Sequence, residues 1–196
     1  MFYNKLKNKL ARMRSTEPVS YWIEPKVPSI VTTFDLNFDI DPKKITENIK
    51  KFYEKNPISN KSFVEAWHSD YYLHHYTNDF DDLIKIVENR VYKSLNQQYL
   101  RKVECVESWA IIYKYGNYVD RHKHSDQQYA AVYYAKAEKN AEPLQFDNYL
   151  TIVPKTGMLV CFPGWLYHSV PKITNDEERI CISFNLNCIM TLQNNK

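Results

Sequence analysis

Three histidines and one arginine in the C-terminal half of this sequence have the types and spacing from which chemistry could be built. His122 and His124 are separated by a single residue, so on an extended strand their imidazoles point to the same face. His168 follows 44 residues after His124, just past the Pro163-Gly164 turn. Arg179 comes eleven residues later and opens an apolar run that alternates with Cys181, Ser183 and Asn185. Imidazole nitrogen is a favoured ligand for first-row transition metals. A guanidinium at the start of a core strand is costly unless it holds an anion. Together these residues read as an inward face that carries a metal-binding imidazole cluster and a dedicated carboxylate receptor. Singly, each has a plainer use: a histidine pair on a surface strand, a satisfied core histidine in Trp165-Leu-Tyr-His168, or an arginine paired with Glu177 or Glu178 next door.

Sulfur plays no part in this pattern. Cys105, Cys161, Cys181 and Cys188 include no pair separated by two residues, so neither a zinc knuckle nor a redox pair is present, and any metal would be held by nitrogen and oxygen. The four read as free, largely buried thiols of a reducing compartment.

The elements that must position these side chains follow from periodicity. Asp41-Pro42 supplies an N-cap and a first-turn proline, and Ile45, Ile49, Phe52 and Tyr53 then share a helix face that ends near Asn56-Pro57. A second helix is expected from about Asp79 to Tyr99, with Phe80, Leu83, Ile84, Val87, Val91 and Leu95 as its apolar stripe. Residues 29–34 read as a strand, and residues 61–77 as aromatic-rich and irregular. From Val103 onward, β-branched and aromatic runs recur at 109–113, 129–134, 157–162 and 179–184, separated by turn signals such as Tyr115-Gly116-Asn117 and Pro163-Gly164. That texture predicts a mainly β sandwich or barrel with helices covering one outer face.

Composition sets the outer bounds. With 196 residues, 44% hydrophobic, 15% aromatic and only 3 glycines, the chain is neither low-complexity nor disordered, and it is long enough for a core. No apolar run approaches the roughly 18 to 20 residues that span a bilayer, and the basic N-terminus lacks a secretory core, so a soluble cytoplasmic protein is expected. The net charge of +3 is concentrated in Lys5, Lys7, Lys9, Arg12 and Arg14, ahead of the first acid. Phe2, Leu6, Leu10 and Met13 fall at helical spacing beside them, consistent with a solvated terminal helix packed on the body. The remaining chain has no basic surplus, so neither a nucleic-acid nor a membrane partner is expected. One domain over 1–196 is the economical organisation: a basic N-terminal helix or arm at 1–16, a helical and strand support region at 17–102, and a β core at 103–188.

These residues resemble the Fe(II)- and 2-oxoglutarate-dependent oxygenases, more narrowly their prolyl-hydroxylase-like branch and its small relatives, many of them encoded by bacterial viruses. The matching text is Tyr113-Lys-Tyr-Gly116, His122-Lys-His124, Ala131-Val-Tyr-Tyr134, the block from Gly157 through Phe162-Pro-Gly-Trp-Leu-Tyr-His168, and Arg179-Ile-Cys-Ile-Ser-Phe-Asn185. Upstream, Ala66-Trp-His-Ser69 also looks like the small relatives. The resemblance spans roughly residues 60 to 188. It implies a double-stranded β-helix of jelly-roll or cupin-like form, with two or three N-terminal helices packed on one face.

The resemblance also implies roles. His122 and His168 would be iron ligands, His122 because it lies six residues after Gly116. Arg179 would grip the distal carboxylate of 2-oxoglutarate in a fork. Tyr134 would donate its hydroxyl to the same group, with Ser183 and Tyr113 as further contacts. The family's usual second ligand is a carboxylate, whereas position 124 is histidine. Two ligand sets therefore stand: His122, His124 and His168, which the spacing to Ala131-Val-Tyr-Tyr134 favours, or His124, Asp126 and His168. Cys181 stands where many relatives carry serine. The implied reaction couples oxidative decarboxylation of 2-oxoglutarate by dioxygen to hydroxylation of a C–H bond, on peptidyl-proline, another peptide or protein, or a small metabolite. Tyr115, Tyr118 and Trp165 are candidates for the substrate side. The competing reading from another class is a non-catalytic metal-binding β-helix module, which position 124 favours.

Overall fold

The computed structural model describes residues 31–59, 63–95 and 100–190. In chain order the elements are β1 (Thr32–Asp35), α1 (Pro42–Lys55), β2 (Val64–Glu65), β3 (Trp67–His68), a four-residue α2 (Leu73–Tyr76) and α3 (Asp81–Ser94). The β-rich half follows: β4 (Leu100–Tyr113), β5 (Tyr118–His122), β6 (Tyr129–Lys136), β7 (Leu144–Phe146), β8 (Leu150–Ile152), β9 (Met158–Pro163), β10 (His168–Val170) and β11 (Arg179–Met190). They form a six-stranded sheet in the order β1-β9-β6-β11-β4-β3, facing a five-stranded sheet in the order β2-β5-β10-β7-β8. All named strand pairs are antiparallel. The architecture is a double-stranded β-helix.

Strict alternation along the large sheet divides the protein into two cores. Ala110, Ile112, Ala131, Tyr133, Leu159, Cys161, Ile180, Ile182 and Phe184 face outward and bury against Ile45 and Ile49 of α1 and Leu83, Val87 and Val91 of α3. Their neighbours in sequence, Trp109, Ile111, Tyr113, Val132, Tyr134, Val160, Phe162 and Cys181, face inward, toward Val119, Leu144, Phe146 and Val170 of the small sheet. A sheet covered on both faces needs apolar residues at both parities, which is why these strands read as continuous apolar runs. The inward parity of β11 carries Arg179, Cys181, Ser183 and Asn185 together into the space between the sheets.

α1 begins where expected: the Asp41 carboxylate accepts from the Lys43 N–H at 2.9 Å, and Pro42 occupies the first turn. Glu178 pairs with Lys50 of α1 at 2.6 Å and with Lys136 of β6 at 3.3 Å, so this acid clamps the helix to the sheet and does not neutralise Arg179. The second helix, α3, ends at Ser94, short of the expected Tyr99; residues 96–99 lie outside the described residues. The irregular stretch contains β2, β3 and α2, each too short to leave a period in the sequence. The expected N-terminal basic helix also lies outside the described residues. No helix among the described residues is long and apolar enough to cross a membrane.

Two local devices aim the strands. Opposite β11, β4 carries a bulge: Asn185 faces Glu107 but Leu186 faces Cys105, so Val106 is the extra residue. The bulge reverses side-chain parity, which leaves Glu107 as the last residue before the shift, and the Cys105 amide is taken up by the Glu88 carboxylate of α3 at 2.8 Å. Near the same end of the sheet, Gly164 packs backbone against backbone. Its carbonyl accepts from the His124 N–H at 2.8 Å and its own N–H donates to Gln128 at 2.9 Å. A Cβ at this position would sit 2.0 Å from the Gln127 carbonyl oxygen and 2.8 Å from that of His124. Gly164→Ala is therefore expected to destabilise the fold by about 1–3 kcal/mol and to weaken metal retention by displacing the His124 loop. Thermal melting and metal content after dialysis check both effects.

Candidate active site

His122, the last residue of β5, pairs directly across from His168, the first residue of β10. His124 lies beyond the strand end, in the loop pinned by Gly164. One nitrogen from each of the three lies within 4.8 Å of the others, and the Nε2 atoms of His124 and His168 are 3.3 Å apart. Backbone carbonyls fix two of the rings: the His122 Nδ1 faces the Asp120 carbonyl at 2.8 Å and the His168 Nδ1 faces that of Leu166 at 2.9 Å. Each Nδ1–H donates, so each Nε2 keeps a free lone pair on the inner side.

Burial sets the charge of this cluster. Desolvation holds His124 down at about 4, helped by its proximity to His122. Desolvation pushes His168, 5% exposed, well below the ordinary imidazole value, with His122 and His124 adding to the effect. His122 is lowered by burial as well. All three are free bases at neutral pH, and none must shed a proton to bind a metal. Three converging neutral nitrogens fit a divalent first-row ion. Asp126 is exposed and stands apart from the cluster, so the alternative set of His124, Asp126 and His168 is not brought together.

Arg179 lies in the same cavity, 2% exposed. Its Nη2 donates to the Tyr134 hydroxyl at 3.2 Å, while Nε and Nη1 are buried with no partner. The guanidinium carbon lies 4.6 Å from the centre of the Tyr113 ring and 5.1 Å from that of Tyr134. Burial raises both phenols well above their ordinary value, so they are neutral and cannot balance the charge. A buried cation with two unsatisfied donors fits a carboxylate arriving from outside. Ser183 and Cys181, on the same face of β11, also line the cavity, whose volume is about 150 Å³.

The cavity walls correct one expectation. Tyr115 and Trp165, in turns, are 67% and 42% exposed, and neither they nor Tyr118, the first residue of β5, line the cavity. The aromatic wall comes instead from His68, Tyr71 and Trp109, with His68 stacked on Trp109 at 5.7 Å and Tyr71 edge-on to Trp109 at 5.2 Å. The shared parity of Trp109, Ile111 and Tyr113 on β4 was the sequence signal for Trp109. Phe63 stacks on His122 at 5.7 Å at the mouth.

Known proteins share part of this sequence pattern and the fold. Residues 137–185 match the family model described as "Putative 2OG-Fe(II) oxygenase", a segment that includes His168, Arg179, Ser183 and Asn185. A viral collagen prolyl hydroxylase from Paramecium Bursaria Chlorella virus-1, solved with 2OG, superposes with a TM-score of 0.63 at 15% identity, covering 82% of this chain and 97% of the other. The chain has the fold of the 2OG-Fe(II) oxygenases. A Trichoplax adhaerens prolyl hydroxylase, solved with a hypoxia inducible factor peptide, gives 0.63 at 13% identity over 95% and 93% of the two chains. HygX from Streptomyces hygroscopicus, solved with nickel and 2-oxoglutarate, gives 0.61 at 8% identity over 82% and 83%. No curated protein matches the chain. The resemblance read from the sequence agrees with the family model over residues 137–185 and with the fold, and the donor set fits the metal and cosubstrate of this oxygenase fold.

The lowered imidazoles give the metal-free protein a pH signature. Below the ordinary imidazole value of 6.5 the unfolded chain takes up protons that the folded cluster refuses down to about 4 for His124. Stability therefore falls as pH drops through that window and is regained as pH rises. Melting of the metal-free protein at pH 7 and pH 5 should show a lower midpoint at pH 5, and His124→Asn should reduce the difference.

Proposed function

We propose that the chain is an Fe(II)- and 2-oxoglutarate-dependent dioxygenase that hydroxylates a C–H bond of a peptide or protein substrate, with peptidyl-proline as the first candidate. The observation that carries this reading is the pairing, within one cavity, of three imidazole nitrogens and a buried guanidinium whose Nε and Nη1 have no partner among the described residues. His122, His124 and His168 would hold the iron through Nε2. When bound, iron and 2-oxoglutarate supply the oxidative chemistry: dioxygen is consumed, succinate and carbon dioxide are released, and the substrate gains a hydroxyl group.

The chain's own residues bind, orient and exclude water. Arg179 takes the distal carboxylate with Nε and Nη1, while Tyr134 accepts from Nη2 and keeps its own O–H to donate to the same carboxylate. Ser183 and Tyr113 flank that group. Three neutral ligands contribute no negative charge, so the dianionic cosubstrate itself balances the metal. Trp109, Tyr71 and His68 wall off the reaction volume on the side toward β3. The substrate class is supported by the fold shared with two prolyl hydroxylases. The described residues act as one catalytic unit.

Adding Fe(II) and 2-oxoglutarate without oxygen should produce the visible charge-transfer band of a chelated 2-oxo acid, and air should then yield succinate. Arg179→Ala should weaken 2-oxoglutarate binding by roughly 2 to 5 kcal/mol, and His122→Ala should lose iron while Asp126→Ala retains it. No band and no succinate would leave a non-catalytic metal-binding module.

A further inference from the structure

Two of the three imidazoles have a backbone carbonyl behind them; His124 does not. What stands beside it is Asn185, the last inward residue of β11 before the bulge, 4% exposed and lining the same cavity. The Asn185 Nδ2 donates to the carboxylate of Glu107, its cross-strand partner on β4. That bond decides which way the amide points: the amino end is engaged by Glu107, and Oδ1 is left buried with no hydrogen-bond partner among the described residues. An unpartnered buried carbonyl is costly, and an amide locked in one orientation next to a ligand is an orienting group. The Asn185 side chain lies within interaction range of the His124 ring.

We propose that Asn185, backed by Glu107, positions His124: its Oδ1 accepts the Nδ1–H of that imidazole and so turns the Nε2 lone pair toward His122 and His168. The same chain of contacts brings one carboxylate, Glu107, to within two hydrogen bonds of the metal. A cluster of three neutral ligands lacks a carboxylate of its own, and Glu107 acts through Asn185 to make His124 a stronger donor. Asn185 and Glu107 form the last pair of the regular β11–β4 ladder before the bulge at Val106. The inference rests on the metal site proposed above.

The test uses Co(II) alone as probe, followed by its visible ligand-field absorption, with melting of each metal-free variant as a control for folding. Asn185→Leu should bind Co(II) about 10- to 100-fold more weakly than the unmodified chain, the usual cost of removing a partner behind a ligand, with an altered band. Glu107→Gln should weaken binding in the same direction. The double variant Asn185→Asp with Glu107→Gln, which restores an acceptor oxygen and retains one carboxylate, should recover the affinity; a merely structural role would show no such rescue. Unchanged Co(II) affinity in a folded Asn185→Leu, or no rescue by the double variant, overturns the positioning role. If Asn185→Leu does not fold, Glu107→Gln and the double variant decide by the same criterion. Failure of the unmodified chain to bind Co(II) overturns the metal site itself, and the inference falls with it.

Discussion

A guanidinium buried without a counter-ion is the constraint around which this protein is organised. Arg179 is 2% exposed, and among the described residues its Nη2 reaches the Tyr134 hydroxyl while Nε and Nη1 have no partner. Such a group destabilises the fold unless an anion arrives, and the nearest acids on its own strand approach do not serve: Glu178 is held by Lys50 and Lys136. The stability cost is tolerable because the large sheet is buried on both faces, against α1 and α3 outside and the small sheet inside. Both cores supply folding energy, and the cavity residues of the inner face add the polar groups.

The imidazole cluster obeys the same logic from the other side. Desolvation keeps its three rings neutral, and carbonyls of Asp120 and Leu166 select the tautomer in two of them. Neutral donors near a buried cation do not add to its electrostatic cost, whereas a protonated cluster would. The pocket is thus a set of unsatisfied groups whose demands are complementary: lone pairs for a cation at one end, N–H donors for a carboxylate at the other.

Much of this was legible in the sequence because β11 is long and alternates without interruption from Arg179 to Asn185, so parity alone places four cavity residues together. The Asp41-Pro42 start of α1 was equally plain. Legibility ends where regular structure ends. His124 lies past the last residue of β5, so period-two reasoning could not choose between His122 and Asp126 as its companion; the pairing of His122 across from His168 brings the first of them to the cluster. Tyr115 and Trp165 sit in turns that project to solvent, which residue type does not reveal. The strands β7, β8 and β10 have three residues each, too few to show a period. Glu107 continues the inward parity of Trp109, Ile111 and Tyr113 and faces Asn185 in the regular register; the bulge just beyond it, at Val106, is what nothing in the local residue types marks.

The central claim is spatial: one cation and one diacid share a single cavity, held by His122, His124, His168 and Arg179. A crystal soaked with Mn(II) and 2-oxoglutarate, measured at a wavelength where manganese scatters anomalously, tests it most directly. The account predicts one anomalous peak at ligand distance from the three Nε2 atoms, with a carboxylate of the diacid on the Nε and Nη1 of Arg179. A metal bound through Asp126, or a diacid lying away from Arg179, would contradict it.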